Sequence, residues 1–296
     1  MGVVILNWNG FELTRRCVET VLASDHPGTF PVVVDNDSAD GSFQRLREAF
    51  PDVEVLQSGA NLGYAGGNNV GIRRALADGA EFVFVINNDT EVPPDCIGIL
   101  VDEMRRDSRI GLAGPKVIDA IQGCIGAVGG TIHWPTAEPR QIGCMEADRG
   151  QYRDVADVEF VPGTAVMARR KALEQVGEMP ERYFMYFEDV AWSLGFRRAG
   201  WRTVAVPRAH LLHYESSSAG RNSPLKTYFQ VRNNLAFVDE WVPADQRRAV
   251  GRRFRLKLVK LAAKAVLARS APQLGAIIAG YRDHAAGRMD NPGRRF

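Results

Sequence analysis

Residues 84–92 read FVINNDTEV, an apolar run that ends abruptly in two amides and a carboxylate. The run at 82–86 has the aromatic and β-branched composition of a buried strand. Asn87, Asn88 and Asp89 follow it, and such residues often form turns by bonding their own backbone. The alternative is a ligand site, because open α/β sheets place their ligands at the carboxyl ends of the strands. This stretch alone leaves both interpretations open.

Short β-branched runs alternate with amphipathic stretches through the first part of the chain. Strands are predicted at 3–6, 31–35, 53–56, 82–86 and 110–115, and helices at 12–23, 42–49, 68–78 and 94–106. Strands that alternate with helices of this length predict a mostly parallel sheet covered on both faces. Residues 1–115 are therefore interpreted as a nucleotide-binding half of an α/β domain. Residues 116–160, rich in glycine, predict irregular or antiparallel structure.

Composition limits the class of protein. The chain has 296 residues, of which 45% are hydrophobic and 24% charged, as expected for a globular enzyme. Its four cysteines form no CxxC pair, so neither a zinc knuckle nor a disulfide framework is indicated. The sequence begins without a signal-peptide pattern, and no run approaches the roughly 20 apolar residues of a spanning helix. These features predict a cytoplasmic protein.

The C-terminal region differs in charge from the rest. From Asp245 onward there are 13 Lys and Arg against 3 Asp and Glu, whereas the whole chain has a net charge of +2. Residues 244–285 are helical by propensity, with a break near Pro272, and residues 247–268 contain no acid. A basic amphipathic helix suits the anionic inner face of the plasma membrane. The alternatives are a solvated helix that packs on the body, and nucleic-acid binding, which no base-reading pattern supports.

Two further segments carry candidates for nucleotide binding. Asp35 ends a predicted strand, where an acid can accept hydrogen bonds from a nucleobase or a ribose. Asp40 opens the next helix and is either a second such acid or a capping residue. The glycine-rich stretch 61–72 runs into a helix, so N–H groups near Gly66 are candidates for a phosphate contact. Its spacing fits neither a dinucleotide fingerprint nor a P-loop, and a tight loop before the helix is the alternative.

The remaining candidates suit a cation and a catalytic base. Asp89 offers a carboxylate to Mg²⁺ or Mn²⁺, and one acid suffices because phosphate and water fill the other positions. Glu188 and Asp189 lie in the aromatic segment 186–192, where desolvation raises a carboxylate pKa and makes the group a usable base. A helix cap is the alternative for Asp189. His213 is either a ligand or a structural residue.

Taken together, these segments resemble the family 2 inverting glycosyltransferases with a GT-A fold, in particular a rhamnosyltransferase-like branch. The resemblance covers about residues 2–240. It implies an α/β fold with a Rossmann-like, mostly parallel sheet flanked by helices. It also divides the chain into a GT-A domain at 1–240, whose acceptor and catalytic half is 116–240, and a basic helical extension at 241–296.

The resemblance assigns roles to individual residues. Asp189 matches the catalytic base, Asp89 matches the cation-binding acid of an Asp-x-Asp motif that here begins with Asn87, and His213 matches a residue that completes the metal shell. Glu188 and Arg232 are further candidates, with Arg232 and its neighbour Asn233 near the donor or acceptor. The implied donor pocket is formed by Trp8, Asn9, Asp35, Asp40, Gly66, Asn87 and Asn88.

The implied reaction moves a sugar, with inversion, from a nucleoside diphosphate to the hydroxyl of a glycan or a lipid-linked acceptor. The resemblance suggests rhamnose on dTDP, with UDP-linked sugars as the next choice, in cell-envelope polysaccharide biosynthesis. One rival is a nucleotidyltransferase, which usually carries a basic residue in its glycine-rich loop; residues 61–67 have none. The other rival is a non-catalytic protein that binds nucleotide sugars.

Overall fold

The computed structural model describes residues 1–214, 223–289 and 293. The strands are β1 (Gly2–Asn7), β2 (Phe30–Asp35), β3 (Glu54–Gln57), β4 (Phe82–Asn87), β5 (Thr90–Glu91), β6 (Ile110–Asp119), β7 (Cys124–Ala127), β8 (Gly130–His133), β9 (Glu138–Gln141), β10 (Ala156–Asp157), β11 (Ala165–Arg169) and β12 (Arg202–His213). The helices are α1 (Phe11–Leu22), α2 (Ser42–Ala49), α3 (Gly63–Ala77), α4 (Cys96–Arg106), α5 (Arg170–Val176), α6 (Glu188–Arg198), α7 (Pro224–Trp241), α8 (Ala244–Leu267) and α9 (Ala271–Ala285), with a short 3₁₀ helix at Glu181–Tyr183.

One mixed sheet forms the centre of the molecule. Its strands run in the order β3, β2, β1, β4, β11, β6, β12 and β10, with β5 paired to β12 and β7 to β6. The neighbours from β3 to β4 are parallel, as are β6 and β12. Antiparallel β11 lies between β4 and β6. The predicted α/β fold with a mostly parallel sheet is confirmed, and the antiparallel pairs β6–β7 and β8–β9 lie within 116–160 as expected.

Helices cover both faces of this sheet because its central strands bury side chains on both sides. Ile5 and Phe84 point toward α1, α2 and α4 in one apolar cluster. Val4 and Val85 point toward α3, α5 and α6 in the other. This two-sided burial explains why the central strands read as continuous apolar runs in the sequence.

Helix α3 begins at Gly63, earlier than the predicted start at residue 68. Its glycines face the sheet: a Cβ atom at Gly67 would lie 2.4 Å from Leu6 Cδ1, and one at Gly71 would lie 2.4 Å from Val4 Cγ1. The prediction of a loop before residue 68 is therefore wrong for residues 63–67, which are helical. These glycines allow close packing of a helix on β1.

Helices α8 and α9 confirm the helical prediction for 244–285 and its break near Pro272. They pack against each other and against α7. No helix in the described part of the chain is long and apolar enough to cross a membrane. The shared apolar cluster joins the C-terminal extension to α7, the last helix of the predicted GT-A domain. Its buried members are Val231, Leu235, Phe254, Leu258 and Ile277.

Candidate active site

Asp89 and His213 meet at the carboxyl end of the central strands. Strand β5 pairs with the end of β12 and places His213 opposite Thr90. His213 Nε2 lies 3.1 Å from Asp89 Oδ1 as a result. Nearby, Asn87 Oδ1 is buried and has no hydrogen-bond partner among the described residues. A carboxylate, an imidazole and a buried amide oxygen in adjacent positions fit a divalent cation.

This donor set suits Mg²⁺ or Mn²⁺ in the presence of a diphosphate. Residues 1–214, 223–289 and 293 contain no group of three or more His, Cys, Asp and Glu that would hold a metal alone. Cations that bridge diphosphates usually take only one or two protein carboxylates and obtain their other ligands from phosphate and water. Asp89 would supply the carboxylate, with His213 Nε2 3.1 Å from its Oδ1 and Asn87 two residues earlier in the chain.

Asp189 occupies the second position of α6. Its Oδ2 accepts a hydrogen bond from Gly163 N at 2.8 Å, and its Oδ1 accepts one from Val190 N at 2.8 Å. The neighbouring Glu188 is buried, and its Oε2 has no partner within the described residues. Burial raises the pKa of both carboxyl groups, and the charge of Asp189 raises the pKa of Glu188 further. Two N–H donors favour the charged form of Asp189, whereas the buried Oε2 of Glu188 has no such donor among the described residues, so the two carboxyl groups differ in how strongly the protein favours their charged forms.

Residues 163 and 164 connect Asp189 to the end of β4, where Asn87 and Asp89 lie. Gly163 donates its N–H to Asp189, and the next residue, Thr164, accepts a hydrogen bond from Asn87 N at 3.0 Å. A Cβ atom at Gly163 would lie 3.4 Å from Asp189 Cβ, so the approach is close. Strand β11, which follows this segment, therefore fixes the base relative to the end of β4.

Tyr64 is a site residue that the sequence interpretation missed. Its hydroxyl donates to the carbonyl of Gly163. Burial raises the pKa of Tyr64 well above its usual value, and the charges of both α6 acids and of Asp89 add to the shift. The phenol of Tyr64 thus lies within electrostatic reach of Asp189 and of Asp89. The signal in the sequence is a tyrosine inside the glycine-rich stretch.

The segment just before α6 has an unusual backbone. Phe184, Tyr186 and Phe187 have φ angles of 62°, 66° and 77°. The left-handed region is rarely populated by bulky side chains, and each such residue costs on the order of 1–3 kcal/mol. We call residues 183–187 the aromatic loop. Its conformation persists because contacts from two directions hold it.

Helix α3 holds the aromatic loop from the first direction. The N–H groups of Tyr64 and Ala65 donate to Phe184 O at 2.7 and 3.3 Å. Gly63 has φ +73°, and a Cβ atom there would lie 2.5 Å from Phe184 O. These are the N–H groups of the first helical turn, which the sequence predicted to approach a phosphate. In the structure the N–H groups of Tyr64 and Ala65 bond the aromatic loop, and Gly66 lies buried further along the helix, so its phosphate contact stays a prediction.

Helix α7 holds the loop from the second direction. Asn233 Nδ2 lies 2.8 Å from each of the carbonyl oxygens of Tyr183, Met185 and Tyr186. Arg232 is fully buried and donates to Tyr183 O at 3.2 Å. Arg232 and Asn233 thus hold the loop that precedes α6, and their predicted place near the donor or acceptor stays a prediction.

The loops after β1 and β2 form the predicted donor edge. Asp35 is fully buried, and its carboxylate accepts from Asn7 Nδ2 at 2.7 Å and from Ser38 N at 3.0 Å. These hydrogen bonds hold the loop after β2. The direct contact of Asp35 with a nucleobase stays a prediction. Asp40 accepts from Ser42 N at 3.0 Å, so the capping alternative describes its place in this structure.

Trp8 is the accessible aromatic side chain at this edge, with 48% of its surface exposed. Asn9 has φ 51° and accepts a hydrogen bond from Ala39 N at 2.8 Å, which ties the two loops together. Asn88 donates to Thr14 Oγ1 at 2.9 Å, so it links the end of β4 to α1. An exposed indole on tied loops offers the stacking surface predicted for a nucleobase.

Asp89 follows β4 and Asp189 lies on α6 at the same edge of the sheet, which is the arrangement that the resemblance implies for a GT-A glycosyltransferase. Residues 2–177 match the sequence profile "Glycosyl transferase family 2". The chain belongs to that family. The nucleotidyltransferase and the non-catalytic binding protein are thereby set aside.

Several known proteins are similar to this chain. The N-acetylglucosaminyl-diphospho-decaprenol L-rhamnosyltransferase of Mycobacterium tuberculosis is 33% identical over 239 residues, which cover 72% of this chain and 75% of that protein. The dTDP-rhamnosyl transferase RfbF of Shigella flexneri is 26% identical over 218 residues, or 69% of each chain. The mannosyltransferase PcManGT of Pyrobaculum calidifontis, solved with GDP-Man and Mn²⁺, superposes with a TM-score of 0.60 at 15% identity over 97% of this chain and 87% of that chain. These relatives support a rhamnosyltransferase-like glycosyltransferase with a GT-A fold.

Proposed function

We propose that this enzyme transfers a sugar, with inversion, from a nucleoside-diphosphate donor to an acceptor hydroxyl, and that it depends on Mg²⁺ or Mn²⁺. The observation that carries the proposal is the segment at Gly163 and Thr164. It bonds Asp189 on one side and Asn87 on the other, so one segment holds the proposed base and the strand end that carries the proposed cation ligands. Inversion requires a base on the acceptor side of the sugar and a stabilised diphosphate on the other side.

In this mechanism Asp189 accepts the proton of the acceptor hydroxyl as that oxygen attacks the anomeric carbon. The hydrogen bonds from Gly163 and Val190 orient the carboxylate. A Mg²⁺ or Mn²⁺ ion, when bound, would supply positive charge to offset the charge of the departing diphosphate. Asp89 and His213 would hold that ion.

The donor is proposed to be dTDP-rhamnose, with a UDP-linked sugar as the second choice. The support comes from relatives named as rhamnosyl transferases, one of them a dTDP-rhamnosyl transferase. In this arrangement the nucleobase of the donor stacks on Trp8, with Asn9, Asp40 and Asn88 in the surrounding loops. The acceptor is proposed to be a glycan or a lipid-linked sugar, reached from the inner face of the plasma membrane.

A thermal-shift panel tests the proposal. The purified chain is melted with dTDP, UDP, GDP or ADP, each with and without Mn²⁺. We expect one diphosphate, dTDP first, to raise the melting temperature only when Mn²⁺ is present, because an ion held by Asp89 would offset the negative charge of the diphosphate. The Asp89→Ala variant should lose this shift.

Asp102→Ala is a matched control, because Asp102 is exposed on α4. It should keep the full shift. If no nucleotide stabilises the chain, or if Asp89→Ala is stabilised as strongly as the wild type, the proposed donor and cation site are wrong.

A further inference from the structure

We infer that Tyr64 is a positioning residue for the proposed base, and that its hydroxyl orients the carboxylate of Asp189 through Gly163. The inference rests on the proposed function, because it assigns a further residue to the same reaction. Tyr64 is not itself a catalytic residue in this role, since it acts on the reacting groups through another residue.

Gly163 links Tyr64 to Asp189 by two hydrogen bonds. Its carbonyl oxygen accepts from the hydroxyl of Tyr64, and its N–H donates to Asp189 Oδ2 at 2.8 Å. A Cβ atom at Gly163 would lie 3.3 Å from Tyr64 Cε1 and 3.4 Å from Asp189 Cβ. The backbone of this glycine is therefore held between the phenol ring and the proposed base, so a shift of Gly163 is passed on to the carboxylate.

Gly163 needs a side-chain partner because it lies outside the strands of the sheet. It belongs to the turn that precedes β11. Within residues 1–214, 223–289 and 293, no other group donates a hydrogen bond to its carbonyl oxygen. Loss of the phenolic hydroxyl would remove this bond and loosen the turn. The N–H group that orients Asp189 Oδ2 would then be less well fixed.

The backbone of Tyr64 holds the chain on the other side of the proposed base. Tyr64 N donates to Phe184 O at 2.7 Å, in the aromatic loop that leads into α6. One residue thus contacts both segments that determine where Asp189 lies. A phenylalanine at position 64 would keep the ring and the backbone bond, so the contribution of the hydroxyl can be tested by itself.

The phenol suits this role because it stays neutral and keeps its hydrogen. Burial raises the pKa of Tyr64 well above its usual value, and the charges of Glu188, Asp189 and Asp89 raise it further. A tyrosine has one O–H donor, and here the carbonyl of Gly163 accepts it. The alternative role, a hydrogen bond from Tyr64 to the donor nucleotide, would require this contact to break.

Steady-state kinetics of Tyr64→Phe test the inference, with release of dTDP from dTDP-rhamnose measured in the presence of Mn²⁺ and with water as the acceptor. We expect kcat to fall about tenfold and KM for the donor to stay within about twofold, because misplacement of reacting groups slows the chemical step. The dTDP thermal shift should not change. A wild-type kcat would overturn the inference, and a loss confined to KM or to the thermal shift would overturn it in favour of a donor contact.

Tyr152→Phe is the matched control for these rates. Tyr152 is also partly buried against the same apolar cluster as Tyr64, but its hydroxyl bonds Glu146. This variant should keep the wild-type kcat and KM.

A double variant shows whether the hydroxyl acts through the proposed base. Residues that act as a unit have effects that do not add. Tyr64→Phe should therefore change the residual rate of Asp189→Asn by less than about twofold. A further tenfold loss in the double variant would mean that Tyr64 acts on something other than Asp189, and it would overturn the inference.

Hydrogen exchange provides a measurement that needs no turnover. Exchange in residues 161–165 should become about fivefold faster or more in Tyr64→Phe, because the turn loses its bond to α3. Exchange in residues 183–187 should change little, since Tyr64 N still bonds Phe184 O. Unchanged exchange at 161–165 would overturn the inference whatever the rates.

Failure of the inference and failure of the proposed function give different results. If Asp189→Asn loses activity while Tyr64→Phe turns over like the wild type, the inference fails and the proposed function stands. If Asp189→Asn turns over like the wild type, or if no nucleotide gives a thermal shift, the proposed function itself fails.

Discussion

Asp189 and Glu188 are adjacent carboxyl groups whose surroundings differ, and that difference separates their roles. Asp189 accepts two backbone hydrogen bonds, whereas Glu188 Oε2 is buried without a partner among the described residues. Each group has its pKa raised by burial. A raised pKa brings a carboxylate closer to the optimum for a general base near neutral pH.

The substitution Asp189→Asn removes the base but keeps its shape. We expect kcat to fall by about 10²–10⁴-fold, the usual contribution of a general base, with an unchanged dTDP thermal shift. Initial rates of sugar transfer at saturating donor provide the measurement. Asp52→Asn, at an exposed turn, serves as the control and should retain wild-type rates. Wild-type transfer by Asp189→Asn would remove Asp189 from the mechanism.

The difference in free energy of unfolding between Glu188→Gln and the wild type should shift in favour of the variant as the pH rises. The folded state raises the pKa of Glu188 well above 4.5, so the stability contributed by its protonated form is fully present below that value. This contribution is lost as the pH rises through the raised folded pKa, whereas glutamine cannot ionise. The difference approaches about 1.4 kcal/mol for each unit of pKa shift.

Urea unfolding of both proteins at pH 5 and pH 8 measures this difference. The exposed Glu48→Gln on α2 should show a difference that does not change with pH. A Glu188→Gln difference that stays constant from pH 5 to pH 8 would mean that Glu188 is ionised throughout.

At the scale of elements, α3 depends on glycine where it crosses the sheet. Gly67→Ala places a Cβ atom 2.4 Å from Leu6 Cδ1, so we expect a loss of about 1–3 kcal/mol in the free energy of unfolding. Gly275→Ala on α9 is the matched control, because a Cβ atom there meets nothing within 4 Å. It should add roughly 0.5–1 kcal/mol by helix propensity. Chemical denaturation of both variants compares the two effects, and equal outcomes would refute the packing role.

Helix α8 has an exposed face, apart from the residues that pack on α7 and α9. Leu256, Val259 and Leu267 are exposed there, by 58%, 66% and 84%. Arg252 and Lys260 lie one turn before and after Leu256 on the same face. An exposed apolar strip between basic residues is typical of a helix that rests on an anionic membrane.

We expect Arg252→Gln and Lys260→Gln each to weaken binding to anionic vesicles by on the order of 1 kcal/mol, or about fivefold. Vesicle sedimentation measures this, with Lys171→Gln on α5 as a control that should bind like the wild type. Removal of α8 would be a poorer test, because Phe254 and Leu258 are buried against α7 and their loss would expose that helix. If both substitutions leave vesicle binding unchanged, α8 does not dock through this face.

The sequence predicts some of these elements well and others poorly, for physical reasons. The alternation up to α4 is readable because its strands are buried on both faces and its helices are amphipathic. Strand β12 was not recognised, because its Arg208 and His210 interrupt the apolar pattern. The left-handed angles of Phe184, Tyr186 and Phe187 have no local signal, since they depend on contacts with α3 and α7.

Residues of the candidate site also differ in whether a local sequence pattern marks them or whether they depend on contacts with distant parts of the chain. The structure brings Asp89 and His213 together, as the ordered motifs predict, while the roles of these residues and of Asp189 stay predictions. Tyr64, Gly163 and Asn233 act through a carbonyl or an N–H group, and no single-residue pattern in the sequence marks such partners. Gly67 and Gly71 have a second reason to be glycine, since they pack closely on β1, and the phosphate contact predicted for Gly66 stays a prediction.

At the scale of the whole molecule, the aromatic loop joins three distant parts of the chain. Asn233→Ala removes the amide that bonds Tyr183, Met185 and Tyr186. We expect a clear loss of kcat with an unchanged dTDP thermal shift, because the base loses its support while the donor edge is untouched. Hydrogen exchange should also become faster in residues 183–187.

Asn234→Ala is the control for the exchange measurement. Asn234 is equally buried in α7, but it donates to Thr136 O and Ala137 O at 3.2 and 2.9 Å. It should leave exchange in the aromatic loop unchanged. Slow exchange at 183–187 in Asn233→Ala would show that α3 alone holds the loop.

The left-handed aromatic residues also bear on the order in which the enzyme matures during synthesis. A nascent chain that has left the ribosome as far as residue 214 already contains Asp89, Asp189 and His213. The backbone of the aromatic loop is unfavourable by itself, and Asn233 follows only with α7. We therefore expect catalytic competence to arrive late in translation, so that an unfinished chain binds donor without consuming it.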